Sequence, residues 1–179
     1  MHVYLRGDGL QRLRLASGLV LLAFVGSHFL NHALGLAGLE VMHVAQSWRT
    51  AVTRSLPGSL VLLVALLAHM ALGLARIAQR QTWRMPPWEL VQIGSGLAIP
   101  FLLLPHIVNT RVAHTVFDVQ DSYVYELARL WPASAWQQSA LLLLVWGHGC
   151  IGLHHWLRLG EGYRRLQPLL AAFAVAVPA

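Results

Sequence analysis

Long apolar stretches without any Asp, Glu, Lys or Arg alternate along this chain with short segments that carry nearly all of the charge. The charge-free stretches are Leu15–Leu39, Pro57–Ala75, Leu90–Val108 and Trp136–Leu157. Each is long enough for a helix that crosses a bilayer, which needs about 20 residues. The pattern therefore predicts an all-α polytopic bundle with four complete transmembrane helices.

A fifth apolar stretch begins at Leu166 and is still apolar at Ala179. It is short for a membrane span. We therefore expect residues 163–179 to be the start of a fifth helix, and residues 1–179 to be a single transmembrane domain at the N-terminal end of a longer protein.

Composition supports the membrane assignment. The chain is 56% hydrophobic and 11% charged, whereas soluble domains carry about 25% charged residues. All of its basic residues are arginines, and they flank the apolar stretches as membrane-flanking charges do, which favours lipid over nucleic acid as the partner. A single cysteine, Cys150, excludes an internal disulfide, a Cys-rich metal site and the covalent attachment of c-type haem.

Arginine counts predict the orientation of the chain in the membrane. Nine arginines lie on the side of the N-terminus: Arg6, Arg12, Arg14, Arg76, Arg80, Arg84, Arg158, Arg164 and Arg165. Four lie on the other side: Arg49, Arg54, Arg111 and Arg129. By the positive-inside rule, the N-terminus is expected in the cytoplasm. The loop at residues 109–135, which contains Asp118, Asp121 and Glu126, is expected to be an external cap with some helix.

The four stretches contain an internal repeat. The first and third align without a gap at an offset of 78 residues, which matches Ser17-Gly18 with Ser95-Gly96 and His28 with His106. The second and fourth align at an offset of 79 residues, which matches His69 with His148. We interpret this as a parallel duplication of a two-helix unit, with one repeat at about 11–80 and the other at about 88–158.

The matched histidines are the candidate functional residues, because ionisable side chains at membrane depth are costly and usually mark function. A helix rises about 1.5 Å per residue, which places His69 and His148 roughly 10 Å from the cytoplasmic edge and His28 and His106 roughly 21 Å from it. Diagonal helices of an up-down bundle leave room between them for a flat ligand. We therefore expect His69 with His148, and His28 with His106, to be two pairs of axial haem ligands.

Other polar or small residues share the helix faces of these histidines. Gly73 and Gly152 lie one turn from the inner pair and would let a macrocycle approach the backbone. The candidate propionate partners or supporting donors are Arg76 and His155 in the inner layer, and Asn31, His32, Arg111 and His114 in the outer layer. His32 remains an alternative to His28 as outer ligand. Zinc fits poorly, because it needs ligands clustered in a tetrahedron.

The segment from His148 to His155, HGCIGLHH, resembles the His-x3-Gly-x2-His segment of the cytochrome b anchor of succinate dehydrogenase and fumarate reductase. In that family the first histidine ligates haem b and the later one lies near a propionate. Residues 69–76, HMALGLAR, look like a second copy. The first helix lacks that family's Ser-x-x-His-Arg quinone motif, which argues against a respiratory quinone site.

From about Gln11 onward the chain resembles the haem-binding membrane anchor of bacterial class III adenylate cyclases. Segments RLASGL from Arg14, HFLNHAL from His28, WRMPPW from Trp83 and WGHGCIGLH from Trp146 carry this resemblance. It implies a six-helix, di-haem cytochrome b-like anchor in the bacterial inner membrane, two haems b per chain, a homodimer, and a C-terminal cytosolic cyclase domain that converts ATP to cAMP. These 179 residues have no Gly-rich phosphate loop and are not themselves expected to be catalytic.

We thus expect a haem b redox- or ligand-sensing domain that regulates an attached cyclase. A di-haem electron-transfer subunit of a quinone-linked complex, with a redox partner, is the main alternative. A histidine-based transporter is a third reading, and the lack of buried Asp or Glu in the apolar stretches argues against it.

Overall fold

The computed structural model describes residues 8–120, 122–158, 160 and 162–178, and these are helical with no strand among them. The α-helices are α1 Gly9–Ala33, α2 Leu39–Thr53, α3 Leu56–Ala78, α4 Pro87–Ile107, α5 Ala113–Phe117, α6 Tyr123–Leu130, α7 Ala135–Leu157 and α8 Tyr163–Ala176. Arg6, Asp121 and Ala179, which entered the predictions above, lie outside the described residues. The all-α prediction is confirmed for the described part of the chain.

Four helical segments are long and apolar enough to cross a membrane, as the sequence predicts. They are Gly9–Leu36, Leu56–Ala78, Pro87–Phe117 and Ala135–Leu157. At most 11% of the most apolar window of each segment is buried inside the protein. Large side chains such as Val64 and Phe101 are 62% and 80% exposed. Because so much exposed apolar surface is unfavourable in water, these helices are suited to lipid and the chain is a membrane protein.

Capping residues extend the helices beyond the charge-free stretches. Asp8 accepts a hydrogen bond from the backbone N–H of Gln11 at 2.8 Å, so α1 begins several residues before Leu15. Ser55 caps α3 by accepting from Gly58 N–H at 3.1 Å, with Pro57 in the first turn. Local polar chemistry, rather than hydropathy, thus sets where these helices begin.

The third membrane segment is irregular near its end. Pro100 and Pro105 lie inside α4, and residues Val108–Val112 form a π turn that leads into α5. A proline has no N–H to donate to the carbonyl four residues earlier, so each one weakens the helical ladder. Despite the two prolines, the helical segment continues through the π turn as far as Phe117. Helices α5 and α6 occupy part of the loop that was predicted to contain some helix.

Two compact units make up the structure. The first consists of Met1–Trp83 and His155–Phe173, and in it α1 packs against α2 and α3. The second consists of Arg84–His154 and Ala174–Ala179. The predicted first repeat lies within the first unit, and the predicted second repeat lies within the second unit as far as His154.

Polar side chains are prominent in both interiors. Ser17 and Asn31 of the first unit are 5% and 3% exposed, and Ser95 of the second unit is 8% exposed. In the second unit the indole N–H of Trp146 donates to the carbonyl of Ala174 at 2.8 Å. Buried polar groups are costly unless they are hydrogen-bonded, so their partners direct attention to the candidate site.

Candidate functional site

In the first unit, α3 places His69 against the first turns of α1. Its Nδ1 lies 3.2 Å from the carbonyl oxygen of Arg14 and 3.4 Å from Oγ of Ser17. A carbonyl oxygen can only accept, so Nδ1 is the protonated nitrogen of this contact. A neutral imidazole protonated at Nδ1 has its lone pair on Nε2, which is therefore the nitrogen able to ligate a metal.

In the second unit, α7 places His148 against α4 in the same way. Its Nδ1 lies 3.1 Å from Oγ of Ser95, and the Ser95 hydroxyl donates to the carbonyl of Gln92 at 3.2 Å. Since the hydroxyl proton is used in that bond, the serine oxygen accepts from Nδ1–H. His148 thus has the same tautomer as His69, with its lone pair on Nε2.

A glycine next to each serine allows the imidazole to approach the helix. A Cβ built on Gly18 would lie 2.9 Å from Cε1 of His69, and one built on Gly96 would lie 3.0 Å from Cε1 of His148. These distances are shorter than a normal carbon–carbon contact. An added methyl group would therefore push against the ring in both units, and glycine at both positions avoids this contact.

Sequence and geometry coincide in these two contacts. Ser17-Gly18 and Ser95-Gly96 are the pairs matched at the 78-residue offset, and the same offset matches Arg14 with Gln92. In both units the serine hydroxyl donates to the carbonyl three residues earlier, at 2.9 Å in the first and 3.2 Å in the second. We call each set of serine, glycine and histidine a serine–histidine clamp.

The second clamp has an additional contact, from the side chain of Gln92. In the second unit the side-chain amide nitrogen of Gln92 lies 3.4 Å from Nε2 of His148, where an N–H can donate to the lone pair. A Cβ built on Gly152 would lie 3.3 Å from the same amide nitrogen. Gly152, one turn from His148, therefore faces the Gln92 side chain, whereas a Cβ built on Gly73 would meet no atom within 4 Å.

His106 has a different partner. The amide nitrogen of Gln138, on α7, lies 3.2 Å from its Nδ1. As placed, this amide donates to Nδ1, so the proton of the imidazole is on Nε2. Ligation of iron through Nε2 requires the amide to turn over, so that its oxygen accepts from Nδ1–H.

The outer candidates of the first unit share one region of α1. The ring of His28 stacks on Phe24 with centroids 5.9 Å apart and meets the edge of the His32 ring at 4.6 Å. His28 is half-buried and His32 is exposed. Neither polar atom of the buried Asn31 amide has a hydrogen-bond partner within the described part of the chain.

The remaining candidates lie near helix ends. Arg76 is exposed near the end of α3, and His155 is half-buried near the end of α7. Arg111 lies in the π turn, and Nδ1 of His114 lies 3.2 Å from the carbonyl of Val119. Since that carbonyl accepts, His114 helps to hold the chain where α5 ends.

Within the described ranges, no three His, Cys, Asp or Glu side chains come together as a metal-binding group. The predicted pairs, His69 with His148 and His28 with His106, each join a histidine of one unit to a histidine of the other. These pairings stay predictions from the sequence.

Sequence analysis identified the histidines but not the residues that hold them. The sequence marks Ser17, Ser95 and both glycines as part of the repeat, without assigning them a role beside the histidines. The carbonyl of Arg14 and the amides of Gln92 and Gln138 were not noticed. The repeat contains a usable signal, because a Ser-Gly pair recurs at an offset of 78 residues and the histidine of the neighbouring helix recurs at an offset of 79.

The donor chemistry of both clamps fits an axial haem ligand. Histidines that ligate metals usually donate the other ring N–H to a carbonyl or another acceptor, which fixes the tautomer and the ring orientation. His69 and His148 have this arrangement, and the buried Asn31 amide next to His28 is a polar group suited to a bound partner. No family model, no curated protein and no solved structure matches the chain.

Proposed function

We propose that this chain is the membrane domain of a haem b-dependent sensor, with His28, His69, His106 and His148 as axial ligands. The observation that carries the proposal is the pair of serine–histidine clamps. Each presents a neutral imidazole with its proton on Nδ1 and its lone pair on Nε2, which is the form that ligates haem iron.

Haem fits these residues better than a hydrated cation does. The donors are neutral nitrogens in an apolar environment, and hard cations such as Mg²⁺ and Ca²⁺ instead require oxygen ligands. The single Cys150 cannot provide the two thioether bonds of c-type haem, so the proposed cofactor is b-type and non-covalent. When bound, haem supplies an iron that can change its oxidation state or accept an external ligand.

Each protein group then has a definite task. Ser17 and Ser95 accept the Nδ1–H of their histidines and fix the direction of Nε2, and Gly18 and Gly96 let the rings approach. Gly73 leaves space beside His69. For the propionates and the supporting polar contacts we propose Arg76 and His155 in the inner layer, and Asn31, His32, Arg111 and His114 in the outer layer.

The wider role that we propose rests on the sequence resemblance. The domain anchors a class III adenylate cyclase in the bacterial inner membrane as a homodimer, with the N-terminus in the cytoplasm. A change in the oxidation or the ligation of the haem would alter how the helices pack. That change would alter the rate at which the attached domain converts ATP to cAMP. The residues described here bind and orient the cofactor, and the cyclase chemistry belongs to a further domain.

The test uses the intact gene expressed in haem-sufficient cells that lack other cyclases. Wild-type protein is expected to give cAMP that changes with oxygen or redox conditions. Ser95→Ala is expected to reduce this response, because the Nδ1–H of His148 loses its serine acceptor. Ser27→Ala is the control, because Ser27 makes the same type of bond to its own helix, to Phe24 O at 2.8 Å, and is exposed.

An intact gene that encodes no cyclase would contradict this role. Quinol-driven haem reduction with turnover, together with copurification of a flavoprotein or iron–sulfur partner, would instead establish the electron-transfer alternative.

A further inference from the structure

The two clamps differ in how the residue three positions before the serine contacts the histidine. In the first unit the residue matched to Gln92 is Arg14, which contacts the histidine through its backbone carbonyl on Nδ1. In the second unit Gln92 contacts the histidine through its side chain on Nε2, at 3.4 Å. The difference therefore falls on the nitrogen that binds iron in the proposed function.

The hydrogen-bond balance around Gln92 defines this contact further. The amide oxygen of Gln92 is buried and has no hydrogen-bond partner among the described residues, so only the amide nitrogen is engaged. Nδ1 of His148 donates to Ser95, which leaves the Nε2 lone pair as the acceptor for the amide N–H. Gly152 lies against the same amide nitrogen, and a Cβ at this position would lie 3.3 Å from it.

One lone pair cannot serve an N–H donor and a metal at the same time. We propose that Gln92 competes with haem iron for Nε2 of His148 and so makes His148 the exchangeable ligand of the sensor. This inference rests on the proposed function, because it assumes that His148 ligates haem.

Exchange of Nε2 of His148 between the haem iron and Gln92 would need no proton transfer. With haem bound, the lone pair on Nε2 of His148 would bond to the iron. Without that bond, the same lone pair would accept the N–H of Gln92, and Nδ1 would keep the proton that it donates to Ser95. Haem with His148 displaced would be able to bind a neutral diatomic ligand, so Gln92 would give the second unit a ligand-sensing function.

The experiment measures carbon monoxide binding to the purified, dithionite-reduced holoprotein by visible spectroscopy. Gln92→Met keeps the length of the side chain and removes the donor. Because one neutral hydrogen bond is lost from the released state, we expect about fivefold weaker carbon monoxide binding with the haem content unchanged.

Gln11→Met is the matched control, because Gln11 is an exposed glutamine on α1. It is expected to bind carbon monoxide as the wild type does. If Gln92→Met fails to assemble, Gln92→Leu removes the same donor with a different shape and is expected to give the same result.

A readout without haem uses haem-free protein labelled with ¹⁵N at histidine. Gln92→Met is expected to shift the Nε2 resonance of His148 and to leave its Nδ1 resonance in place. An unchanged Nε2 resonance would overturn the proposed contact.

The failures of the two proposals are distinguishable. Holoprotein with full haem content but equal carbon monoxide binding in wild type and Gln92→Met overturns the role of Gln92 and leaves the haem proposal intact. Wild-type holoprotein that takes up no carbon monoxide likewise overturns the role of Gln92 and leaves the haem proposal intact. A wild-type protein that contains no haem overturns both.

Discussion

His69 and His148 each meet a serine that is itself bonded to the backbone of its own helix, which gives the serine oxygen a fixed role as acceptor. This chain of bonds sets the imidazole tautomer within an apolar part of the protein, where a hydrogen bond is stronger than in water. The serine and the neighbouring glycine act together, one by a hydrogen bond and the other by leaving room. Changes at the serine or at the glycine should therefore both affect Nδ1 of the histidine.

The glycines provide the first test at this scale. Gly18→Ala and Gly96→Ala place a methyl group about 3 Å from a ring carbon of His69 and His148. Overpacking typically costs about 1–3 kcal/mol, so we expect roughly tenfold weaker haem binding in a hemin titration. Gly26→Ala and Gly94→Ala lie on the same two helices and have no atom within 4 Å of the added Cβ, so they should bind hemin normally. Equal effects in all four variants would contradict the clamp geometry.

The serines provide the second test. Ser17→Ala and Ser95→Ala remove an acceptor for Nδ1–H, and loss of such a partner typically weakens metal binding about 10–100-fold. His69 keeps the carbonyl of Arg14 at 3.2 Å, so Ser17→Ala should fall at the lower end of that range. Hemin titration measures the change, with Ser27→Ala as the control. Unchanged affinity in both variants would show that the serines do not support the ligands.

At the scale of helices, the apolar pattern predicted the four membrane segments because hydropathy over about 20 residues is a property of sequence alone. It did not predict α2, which contains Glu40 and Arg49 and has no long apolar run. It also did not predict the π turn after Pro105, because the local pattern of backbone hydrogen bonds depends on what the neighbouring helices satisfy. Hydrogen bonds between helices likewise depend on their packing, so the histidines were predictable and the acceptors of their N–H groups were not.

Helix α2 has an exposed apolar stripe beside its buried side. Val41, Val44, Trp48 and Val52 are 46–75% exposed and lie on one face, while Met42 is fully buried against the protein. An amphipathic helix with such a stripe is suited to the membrane interface, where the apolar face contacts lipid and the polar face contacts water.

This placement of α2 is testable by thiol labelling after Cys150→Ala removes the single native cysteine. Val41 and His43 are two residues apart and so point in roughly opposite directions on a helix. In proteoliposomes, Cys at position 43 should react with a charged thiol reagent roughly tenfold faster than Cys at position 41, because lipid shields the apolar stripe. Equal rates in proteoliposomes would contradict an interfacial α2.

At the scale of the molecule, four apolar helices carry four histidines at matched positions, and two of these histidines are held by the same kind of contact. The chain provides imidazoles without a carboxylate or thiolate cluster among the described residues. That chemistry underlies the proposed haem domain, and the proposed pairing of the histidines predicts two haems.

The central claim is tested most directly by the haem content of the purified chain, measured as the pyridine haemochrome after expression in haem-sufficient cells. The account predicts about two haems b per chain. It also predicts that His69→Ala or His148→Ala retains only the outer haem, and that His28→Ala or His106→Ala retains only the inner haem. If His28→Ala retains both haems, His32 is the outer ligand. A colourless, haem-free wild-type protein would contradict the account.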